Sequence, residues 1–578
     1  MFHVELIKPS HYDDDGYVIQ WRQALIPSNS LACLYSIARE AASRKVLGPG
    51  IDIDIHAYDE TNTVIPVNRI IHRINDAKDG GIVCFVGVQS NQFPRAMDLA
   101  RRFRTAGIDV VIGGFHVSGC IAMLDELPAD IQEARDLGIS LFAGEAEGRL
   151  DEVIIDAHST ALKPIYNHMS DLPGLEGATT PYLPAVVLDG YKHSMTSFDA
   201  GRGCPFQCSF CTIINVQGRK SRYRSADDVE AIVRRNHQQG VTEHFITDDN
   251  FARNKNWEKI FDRLIWLRED QGMTELSFVI QVDTLCHKIP NFIQKAKRAG
   301  CWYVFIGLEN INQANLQAAN KRQNRIAEYR ALFQAWRNEG IITYAGYILG
   351  FPADTPESIA QDIEVIQREL PVDLLEFFVL TPLPGSADHK NLHDRGIPMD
   401  PDMNNYDLEH MTVEHPLMSA ETWSRTYHDS WRRYYSLDHA ETLLRRAAAS
   451  GIDLISMRNR IVEFYGTQVF ENVHPLQGGI IRRKVRRERR PTFPREPAII
   501  FYPRYLWQTA TTLLRFLLYQ RKLTRIVKRI KRDPEAVHYR DAALTPVAET
   551  PAETEFLTQY GTRNAENQKT GTRARAAS

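Results

Sequence analysis

Short apolar runs alternate with amphipathic stretches along residues 1–150. Five runs of seven to nine residues are rich in Val, Ile and Phe, which is typical of buried strands. This strand–helix rhythm predicts a parallel sheet with helices on both faces, that is, a doubly wound (flavodoxin-like) α/β domain. The predicted strands are 3–9, 51–59, 81–89, 109–116 and 139–147, and the predicted helices lie near 30–44, 66–78, 92–106 and 120–136.

A second strand–helix rhythm runs through residues 194–395. Its six strand–helix units fall short of the eight that close a TIM barrel, so the pattern predicts a partial (βα)6 barrel. Polar residues stand at the ends of several strands, where barrel active sites lie. Capping and loop solvation are the ordinary alternative for each of them. These residues are Asp248, Asp249, Asn250, Gln281, Asp283, Glu309 and Asn310.

The rest of the chain differs in composition from these two domains. Residues 151–193 are rich in Pro and Gly and are predicted to form a linker. Residues 396–480 carry helical patterns and are predicted to form a helical C-terminal domain. Residues 481–535 combine basic runs with an apolar stretch, and 536–578 are predicted to be a disordered tail.

Charge and cysteine content narrow the class of protein. The formal net charge of the 578 residues is only -3, which gives no whole-chain argument for nucleic-acid binding. Three of the eight cysteines lie between 204 and 211 and the others are scattered, which is no disulfide framework and indicates a reducing, cytoplasmic compartment. The first residues lack the pattern of a signal peptide, and no stretch offers the roughly 18 apolar residues of a spanning helix.

Three cysteines stand close together after the first strand of the second domain. Cys204, Cys208 and Cys211 have the spacing C-x3-C-x2-C. Three thiolates on a short loop can hold three irons of a [4Fe–4S] cluster, which leaves the fourth iron open to a small chelating ligand. The alternative is zinc, which needs four closed ligands. No fourth cysteine lies nearby, so His193 or His244 would have to complete that site.

This spacing, with an aromatic residue before the last cysteine, resembles the signature of the radical S-adenosylmethionine (SAM) enzymes. The segments 246–251, 305–310 and 346–359 are similar to later strand ends of that family, in the same order. The resemblance implies that SAM chelates the open iron and is cleaved to a 5′-deoxyadenosyl radical, with an electron from a donor such as flavodoxin or ferredoxin. It leaves Gln281 and Asp283 free to face the substrate. The SAM-binding residues that it implies are Phe210, Asp248, Asp249, Asn250, Glu309, Gly346 and Gly350.

The first domain resembles the cobalamin-binding domain that precedes the barrel in one subfamily of these enzymes. The segments 112–119 and 143–150 are similar to that subfamily's turns after the fourth and fifth strands. The loop around His11 differs from the D-x-H-x-x-G motif of many cobalamin proteins, because it lacks the Asp two residues before the His and has a different spacing to the Gly. This difference puts an axial role for the imidazole of His11 in doubt. An empty α/β domain is the alternative. The corrin-binding residues that the resemblance implies are Gly113, Gly114, His116, Gly144 and Glu145.

Residues 481–535 have the composition of a segment that lies on an anionic membrane surface. Two basic runs flank a stretch rich in Leu, Phe, Tyr and Trp. Trp507, Tyr502 and Tyr505 suit the depth of lipid headgroups. The alternatives are a helix docked on the barrel and a basic arm for nucleic acid. We prefer the membrane surface and expect no nucleic-acid partner.

Together these features predict a cobalamin-dependent radical SAM C-methyltransferase that acts on an unactivated carbon. If the protein lies peripherally on the inner face of the membrane, a lipid or isoprenoid substrate follows. Two alternatives stay open. One is a radical SAM and cobalamin enzyme that cyclises or rearranges its substrate without methyl transfer. The other is a non-catalytic corrinoid or metal-binding sensor.

Overall fold

The computed structural model describes residues 1–192, 195–321 and 323–546. Residues 1–192 contain the strands β1 (Phe2–Lys8), β2 (Gln20–Ala24), β3 (Ile53–Asp59), β4 (Gly81–Phe85), β5 (Asp109–Gly113), β6 (Ser140–Ala143) and β7 (Ile165–Asn167). The helices of this part are α1 (Asn29–Ser43), α2 (Val67–Asp76), α3 (Phe93–Thr105), α4 (Phe115–Met123), α5 (Ala129–Asp136), α6 (Leu150–His158) and α7 (Ala185–Leu188).

Six of these strands form one parallel sheet in the order β3-β1-β4-β5-β6-β7. Successive residues of β1 point to opposite faces, so Leu6 packs into one hydrophobic core and Ile7 into the other. Helices cover both faces, as the apolar runs of the sequence require. The flavodoxin-like, doubly wound prediction is confirmed.

The second sheet and its helices lie within residues 195–395. Its strands are β8 (Met195–Phe198), β9 (Gly201–Arg202), β10 (Arg222–Tyr223), β11 (Glu243–Ile246), β12 (Ser277–Val282), β13 (Cys301–Glu309), β14 (Ile342–Leu349) and β15 (Leu374–Val379). Its helices are α8 (Ile213–Val216), α9 (Ala226–His237), α10 (Trp257–Glu269), α11 (Phe292–Ala299), α12 (Gln313–Ala318), α13 (Tyr329–Asn338), α14 (Pro356–Glu369) and α15 (Ala387–Asp394).

Six strands of the second domain form a parallel sheet in sequential order, β15-β14-β13-β12-β11-β8. This is the partial barrel that the sequence predicts. Local signals set its helices: Ser225 caps α9 by accepting a hydrogen bond from the amide of Asp228, whose side chain returns one to Ser225. The carboxyl ends of all six strands meet at one rim, which places the polar residues that follow them close together.

The C-terminal region is mostly helical. It contains α16 (Ala420–Tyr434), α17 (Leu437–Ala449), α18 (Leu454–Glu471), β16 (Gly479–Arg483) and α19 (Ala498–Arg532). Short 3-10 turns complete the chain at Ser90–Gln92, Phe251–Arg253, Cys286–Lys288, Ile326–Glu328, Met403–Asn405, Pro475–Gln477, Pro534–His538 and Ala542–Leu544. Helices α16 to α19 extend the core of the barrel.

Two predicted segments differ from the structure. The proposed linker 151–193 begins with most of α6 and contains β7, which joins the first sheet beside β6. The tail predicted to be disordered is ordered at its start, because the carboxylate of Asp541 accepts a hydrogen bond (2.7 Å) from Nε of Arg446. Residues 547–578 of that predicted tail lie outside the described part of the chain.

The first basic run of the predicted membrane segment belongs to the body of the protein. Strand β16 pairs antiparallel with β2, which ties this run to the first domain. Arg482 is buried and forms an ion pair with Asp13 (Nη2–Oδ2 3.0 Å), and Arg490 pairs with Asp402. Carboxylates distant in sequence thus neutralise the charges of Arg482 and Arg490, and contact of this run with a membrane stays a prediction.

Helix α19 divides into two halves. The second half docks on α17 and α18 through Tyr519, Leu523, Val527 and Ile530, as the docked-helix alternative predicts. The first half leaves large apolar side chains in solvent. Within the described residues, no helix combines the length and the apolarity that crossing a membrane requires.

Candidate active site

The cysteine loop starts at the rim of the partial barrel. Strand β9 ends at Arg202, and Gly203 then turns the chain with φ +88°, where a Cβ atom would lie 2.6 Å from a carbonyl oxygen of the facing loop. The amide of Cys204 donates to the carbonyl of Gly218 (3.2 Å), and the amide of Cys211 donates to that of Cys208 (3.2 Å). Backbone hydrogen bonds thus shape the loop, which leaves the thiol groups free for metal.

The spread of the three cysteine sulfurs fits a cluster better than one zinc ion. Zinc–sulfur bonds of about 2.3 Å would bring tetrahedral ligands to about 3.8 Å from one another. In the described part of the chain, three metal-ligating atoms lie within 4.8 Å of one another only at His3, Asp54 and His56. Of the two proposed fourth zinc ligands, His244 is buried against Phe198, and His193 lies outside the described residues.

Two residues that the sequence analysis missed stand beside the cysteines. Lys321 forms an ion pair with Glu309, and its ammonium lies 5.7 Å from the ring centroid of Phe210. The side-chain amide of Gln323 donates to the sulfur of Cys208 (3.6 Å). The carboxylate of Glu309 raises the pKa of Lys321, although burial opposes it. Lys321 therefore stays protonated beside the loop within its ion pair with Glu309, and its ammonium can still donate hydrogen bonds to an anionic group there.

A second positive charge comes from Arg253. Its guanidinium forms a bidentate ion pair with Asp283 (2.6 and 2.8 Å) and lies 5.6 Å from the ring centroid of Phe206 in the cysteine loop. The side-chain amide of Asn250 also donates to Asp283 (2.8 Å). Asp283 is thereby committed to these partners. Gln281, by contrast, reaches the interior of the barrel.

The two aspartates after β11 brace the loop. The carboxylate of Asp248 accepts hydrogen bonds from the amides of Ala200 and Gly201 (both 2.7 Å). The carboxylate of Asp249 accepts from the amide of Gly203 (3.3 Å), immediately before Cys204. Burial raises the pKa of each aspartate to about 7. Both side chains lie behind the cysteines, and their direct contact with SAM stays a prediction.

The remaining residues implied for SAM lie along β13 and β14. Glu309 has φ +60°, a strained conformation at the end of β13. Gly346 lies between the rings of Phe305 and Phe378, and a Cβ atom there would come 2.9 Å from Phe378. The amide of Gly350 donates to Asp354 (2.9 Å). The barrel thus brings Glu309, Gly346 and the cysteine loop to one rim, and their SAM-binding roles stay predictions.

A cavity of about 490 Å³ lies between the two domains. One wall is the carboxyl edge of β1 and β4, where the strand order of the first sheet changes direction. Such switch points are where open α/β sheets bind ligands. The opposite wall contains Thr212 and Ile213, which directly follow Cys211. Polar side chains of the first domain line the cavity, namely Ser10, His11, Gln89, Ser90, Asn91 and Gln92.

The donors in this wall fit a corrin. Side-chain amides can pair with the amides at a corrin's edge. Burial lowers the pKa of His11 to about 4, so its imidazole is neutral at pH 7, the form that ligates metals. His116 lies behind the wall, with its ring nitrogens bonded to Ser90 (3.1 Å) and Asp130 (2.7 Å). It therefore orients a cavity residue, and its direct contact with a corrin stays a prediction.

The glycines implied for the corrin lie at the carboxyl edge of the first sheet, where one of them allows two loops to cross closely. Gly114 has φ +146°, and a Cβ atom there would lie 2.1 Å from the amide nitrogen of Val88, so the crossing of the loops after β4 and β5 requires glycine. Gly113 and Gly144 end β5 and follow β6 at the same edge. Their contact with a corrin also stays a prediction.

Glu145 links the two domains. Its carboxylate accepts hydrogen bonds from Arg202 (2.7 Å) and Arg222 (2.8 Å), which flank the cysteine loop. Arg202 also pairs with Glu147 (2.6 Å) and Asp199 (3.0 Å). These ion pairs engage the carboxylate of Glu145, the residue that the sequence resemblance assigns to the corrin. The arginines lie 57 and 77 residues from Glu145, so no local signal could have identified them.

A family model described as the radical SAM superfamily matches residues 200–366, the stretch that holds the cysteine loop and most of the barrel. The chain carries a radical SAM domain. This confirms the resemblance seen in the sequence, and such a domain implies a [4Fe–4S] cluster and SAM. The cysteines and the positive charges of Lys321 and Arg253 fit both groups.

Several relatives of this chain are named as methyltransferases, and one, of Rubrivivax gelatinosus, is named as an anaerobic magnesium-protoporphyrin IX monomethyl ester cyclase. Bacteriochlorophyllide d C-8(2)-methyltransferase of Chlorobaculum tepidum is 25% identical over 349 residues, which cover 57% of this chain and 72% of that protein. Hopanoid C-2 methylase of Rhodopseudomonas palustris is 26% identical over 309 residues, which cover 52% of this chain and 56% of that protein.

Solved structures with the same architecture exist. TsrM from Kitasatospora setae, a radical SAM methyltransferase with cobalamin and a [4Fe–4S] cluster bound, has a TM-score of 0.54 at 16% identity, covering 76% of this chain and 90% of that one. OxsB, a cobalamin-dependent SAM radical enzyme, has a TM-score of 0.53 at 12% identity, covering 98% and 84%. At these identities the likeness establishes the fold.

Proposed function

We propose that this radical SAM enzyme is a cobalamin-dependent C-methyltransferase. The inter-domain cavity carries the proposal, because it joins the switch point of a doubly wound domain to residues that follow Cys211. The names of the relatives and the cobalamin in TsrM and OxsB support it.

The chain's own contribution is to orient the bound groups and exclude water. When bound, the cluster with SAM supplies a hydrogen-abstracting radical, and the corrin supplies the methyl group. Lys321 and Arg253, each in an ion pair with a carboxylate, place hydrogen-bond donors beside the cysteines, where an anionic cluster and the SAM carboxylate would accept them. Gln89, Asn91 and Gln92 offer amide groups to the corrin edge.

Methyl-labelled SAM tests this function directly. Protein purified without oxygen and loaded with iron, sulfide and hydroxocobalamin is incubated with a reductant, labelled SAM and extracted cell lipids. We expect labelled methyl in a product together with 5′-deoxyadenosine. Formation of 5′-deoxyadenosine without a labelled methyl product would instead favour a cyclase or rearrangement enzyme. The absence of both 5′-deoxyadenosine and a labelled product would favour a sensor.

Replacing one cysteine of the loop separates cluster chemistry from corrin binding. We expect Cys208→Ala to abolish 5′-deoxyadenosine, because a cluster with two protein thiolates loses its anchorage, while hydroxocobalamin stays bound. Cys301→Ala, at a buried cysteine in β13, is the matched control and should keep the product. An undiminished yield in Cys208→Ala would refute the cluster assignment.

We also propose that the first half of α19 lies on a membrane and that the methyl acceptor is a lipid of isoprenoid type. Ile499, Leu506 and Trp507 are 83%, 65% and 72% exposed. They lie at helical spacing on one face with Leu513, Leu514, Leu517 and Leu518. The helix contains Lys and Arg but no Asp or Glu, which suits anionic lipid. The hopanoid methylases among the relatives support this substrate class.

A further inference from the structure

We infer that Glu376 is a specificity residue for the methyl acceptor: it receives one neutral hydrogen-bonding group of an apolar, ring-containing molecule that lies in a chamber inside the partial barrel. The inference rests on the proposed function and deepens it. The chamber has a volume of about 280 Å³ and opens among the inward-facing residues of β8 and β11 to β15. Helix α18 closes it with Arg460, Glu463 and Phe464.

The walls of the chamber are predominantly aromatic. The rings of Tyr303 and Tyr344 stack with centroids 4.4 Å apart and an interplanar angle of 14°, and Phe305 lies 4.8 Å from Tyr344. Flat aromatic faces favour a ligand that is itself ring-shaped and apolar. Trp302 and Phe378 complete this lining.

Glu376 is one of several polar residues in the wall, together with Glu243, Gln281, Arg460 and Glu463. It lies in the middle of β15, it is fully buried, and neither of its carboxyl oxygens has a hydrogen-bond partner among the described residues. An unpaired buried carboxyl group destabilises a protein by about 1–3 kcal/mol or more, so its presence indicates a partner that binds from outside. Glu376 lines the chamber, so a molecule bound there can supply the missing hydrogen bond.

The charges around Glu376 favour a neutral partner. Burial raises the pKa of Glu376 well above its usual range, and the carboxylate of Glu309 adds to this effect. Burial also raises the pKa of Glu243 in the same wall. The one guanidinium there, Arg460, is paired with Glu463 (2.9 Å). A protonated Glu376 can both donate and accept a hydrogen bond, which matches a hydroxyl group.

The chamber adjoins the inter-domain cavity. Leu25, Ile26, Phe378 and Leu476 line both spaces. Phe378 also belongs to the apolar cluster that contains Phe210 of the cysteine loop. A molecule held at Glu376 would therefore meet the cluster side and the corrin side of the site at one end. This is the placement that a methyl acceptor needs.

Three probes of one shape test the chamber. The holoprotein is dialysed at pH 7 against 2-naphthol, naphthalene or 2-naphthylmethylammonium, which differ in a single group. We expect 2-naphthol to bind about fivefold more tightly than naphthalene, the ratio that one net hydrogen bond gives. Tightest binding by the ammonium probe, or no binding of any probe, would overturn the inference.

Variants assign that preference to Glu376. We expect Glu376→Gln to keep the naphthol preference and Glu376→Leu to erase it. Glu364→Leu, at an exposed glutamate of α14, is the matched control and should change nothing. Phe464→Trp should weaken all three probes by filling the chamber. A naphthol preference that survives in Glu376→Leu would contradict the proposed contact.

A melting temperature separates ligand recognition from a structural role. Without a ligand, Glu376→Leu should melt at or above the temperature of the wild type, because it removes an unsatisfied group. A lower melting temperature would show that Glu376 serves the fold and would overturn the inference. Probe binding needs no turnover, so a failed methyl-label experiment beside a successful binding series would leave the chamber in place for another radical reaction.

Discussion

At the scale of the residue, burial decides the protonation state of His244, which lies away from the cysteine loop. His244 lies in β11, fully buried and with its ring against that of Phe198. Burial lowers its pKa from 6.5 to about 4. Between those pH values the unfolded chain takes up a proton that the folded chain refuses. His244 therefore costs stability progressively as the pH falls through 6.5 toward 4.

We expect His244→Gln to reduce this loss. Relative to its own stability at pH 7.5, the variant should lose less free energy of unfolding than the wild type by up to about 1.4 kcal/mol per pH unit between pH 6.5 and 4. Urea unfolding at half-unit steps measures the slope. The interval from pH 7.5 to 8.5 is the internal control, because the imidazole is neutral there in both states. Parallel curves throughout would contradict the assignment.

At the scale of the element, α19 shows one helix with two environments. Its second half buries its apolar face against α17 and α18. Its first half buries Phe501 against Tyr17 but leaves Leu506 and Trp507 exposed. A helix that exposes large apolar side chains along one face needs a further partner. The basic residues of α19 are the reason that we propose anionic lipid as this partner.

Vesicles test this face. We expect the protein to sediment with vesicles of phosphatidylglycerol and phosphatidylcholine and far less with phosphatidylcholine alone. The combined changes Leu506→Glu, Trp507→Glu and Leu514→Glu should lower the affinity at least about 100-fold, because each removes roughly 1.5–3 kcal/mol of apolar burial. A triple glutamate variant of exposed residues elsewhere should bind like the wild type. These control positions are Ile155, Val186 and Leu437.

At the scale of the whole molecule, ion pairs hold the two domains around the cavity. Glu145 after β6 pairs with Arg202 before the cysteine loop and with Arg222 in β10. The antiparallel pair of β2 and β16 adds a second connection, which joins the N-terminal part of the chain to the C-terminal region. The inter-domain cavity and the cysteine loop are therefore coupled through the relative position of the two sheets.

We expect Glu145→Gln to loosen this junction. Removing one partner of a buried ion pair should destabilise the protein by about 3 kcal/mol and reduce the hydroxocobalamin retained after gel filtration. Urea unfolding and corrin absorbance measure the two effects. Asp151→Asn breaks an exposed pair with Arg44 and should cost less than about 1 kcal/mol. Equal behaviour of the two variants would show that Glu145 does not join the domains.

The sequence by itself determined both parallel domains and the cysteine loop, because strand periodicity and C-x3-C-x2-C spacing are local patterns. Only the tertiary structure decided which charged side chains are paired with one another and which are left without a partner. It neutralised Arg482 with Asp13, ordered residues 536–546, and turned Glu145 toward Arg202. It also placed Lys321 beside the cysteines and left Glu376 unpaired among aromatic rings. Such pairings join residues far apart in the chain, and their energies depend on burial and distance, which no local pattern encodes.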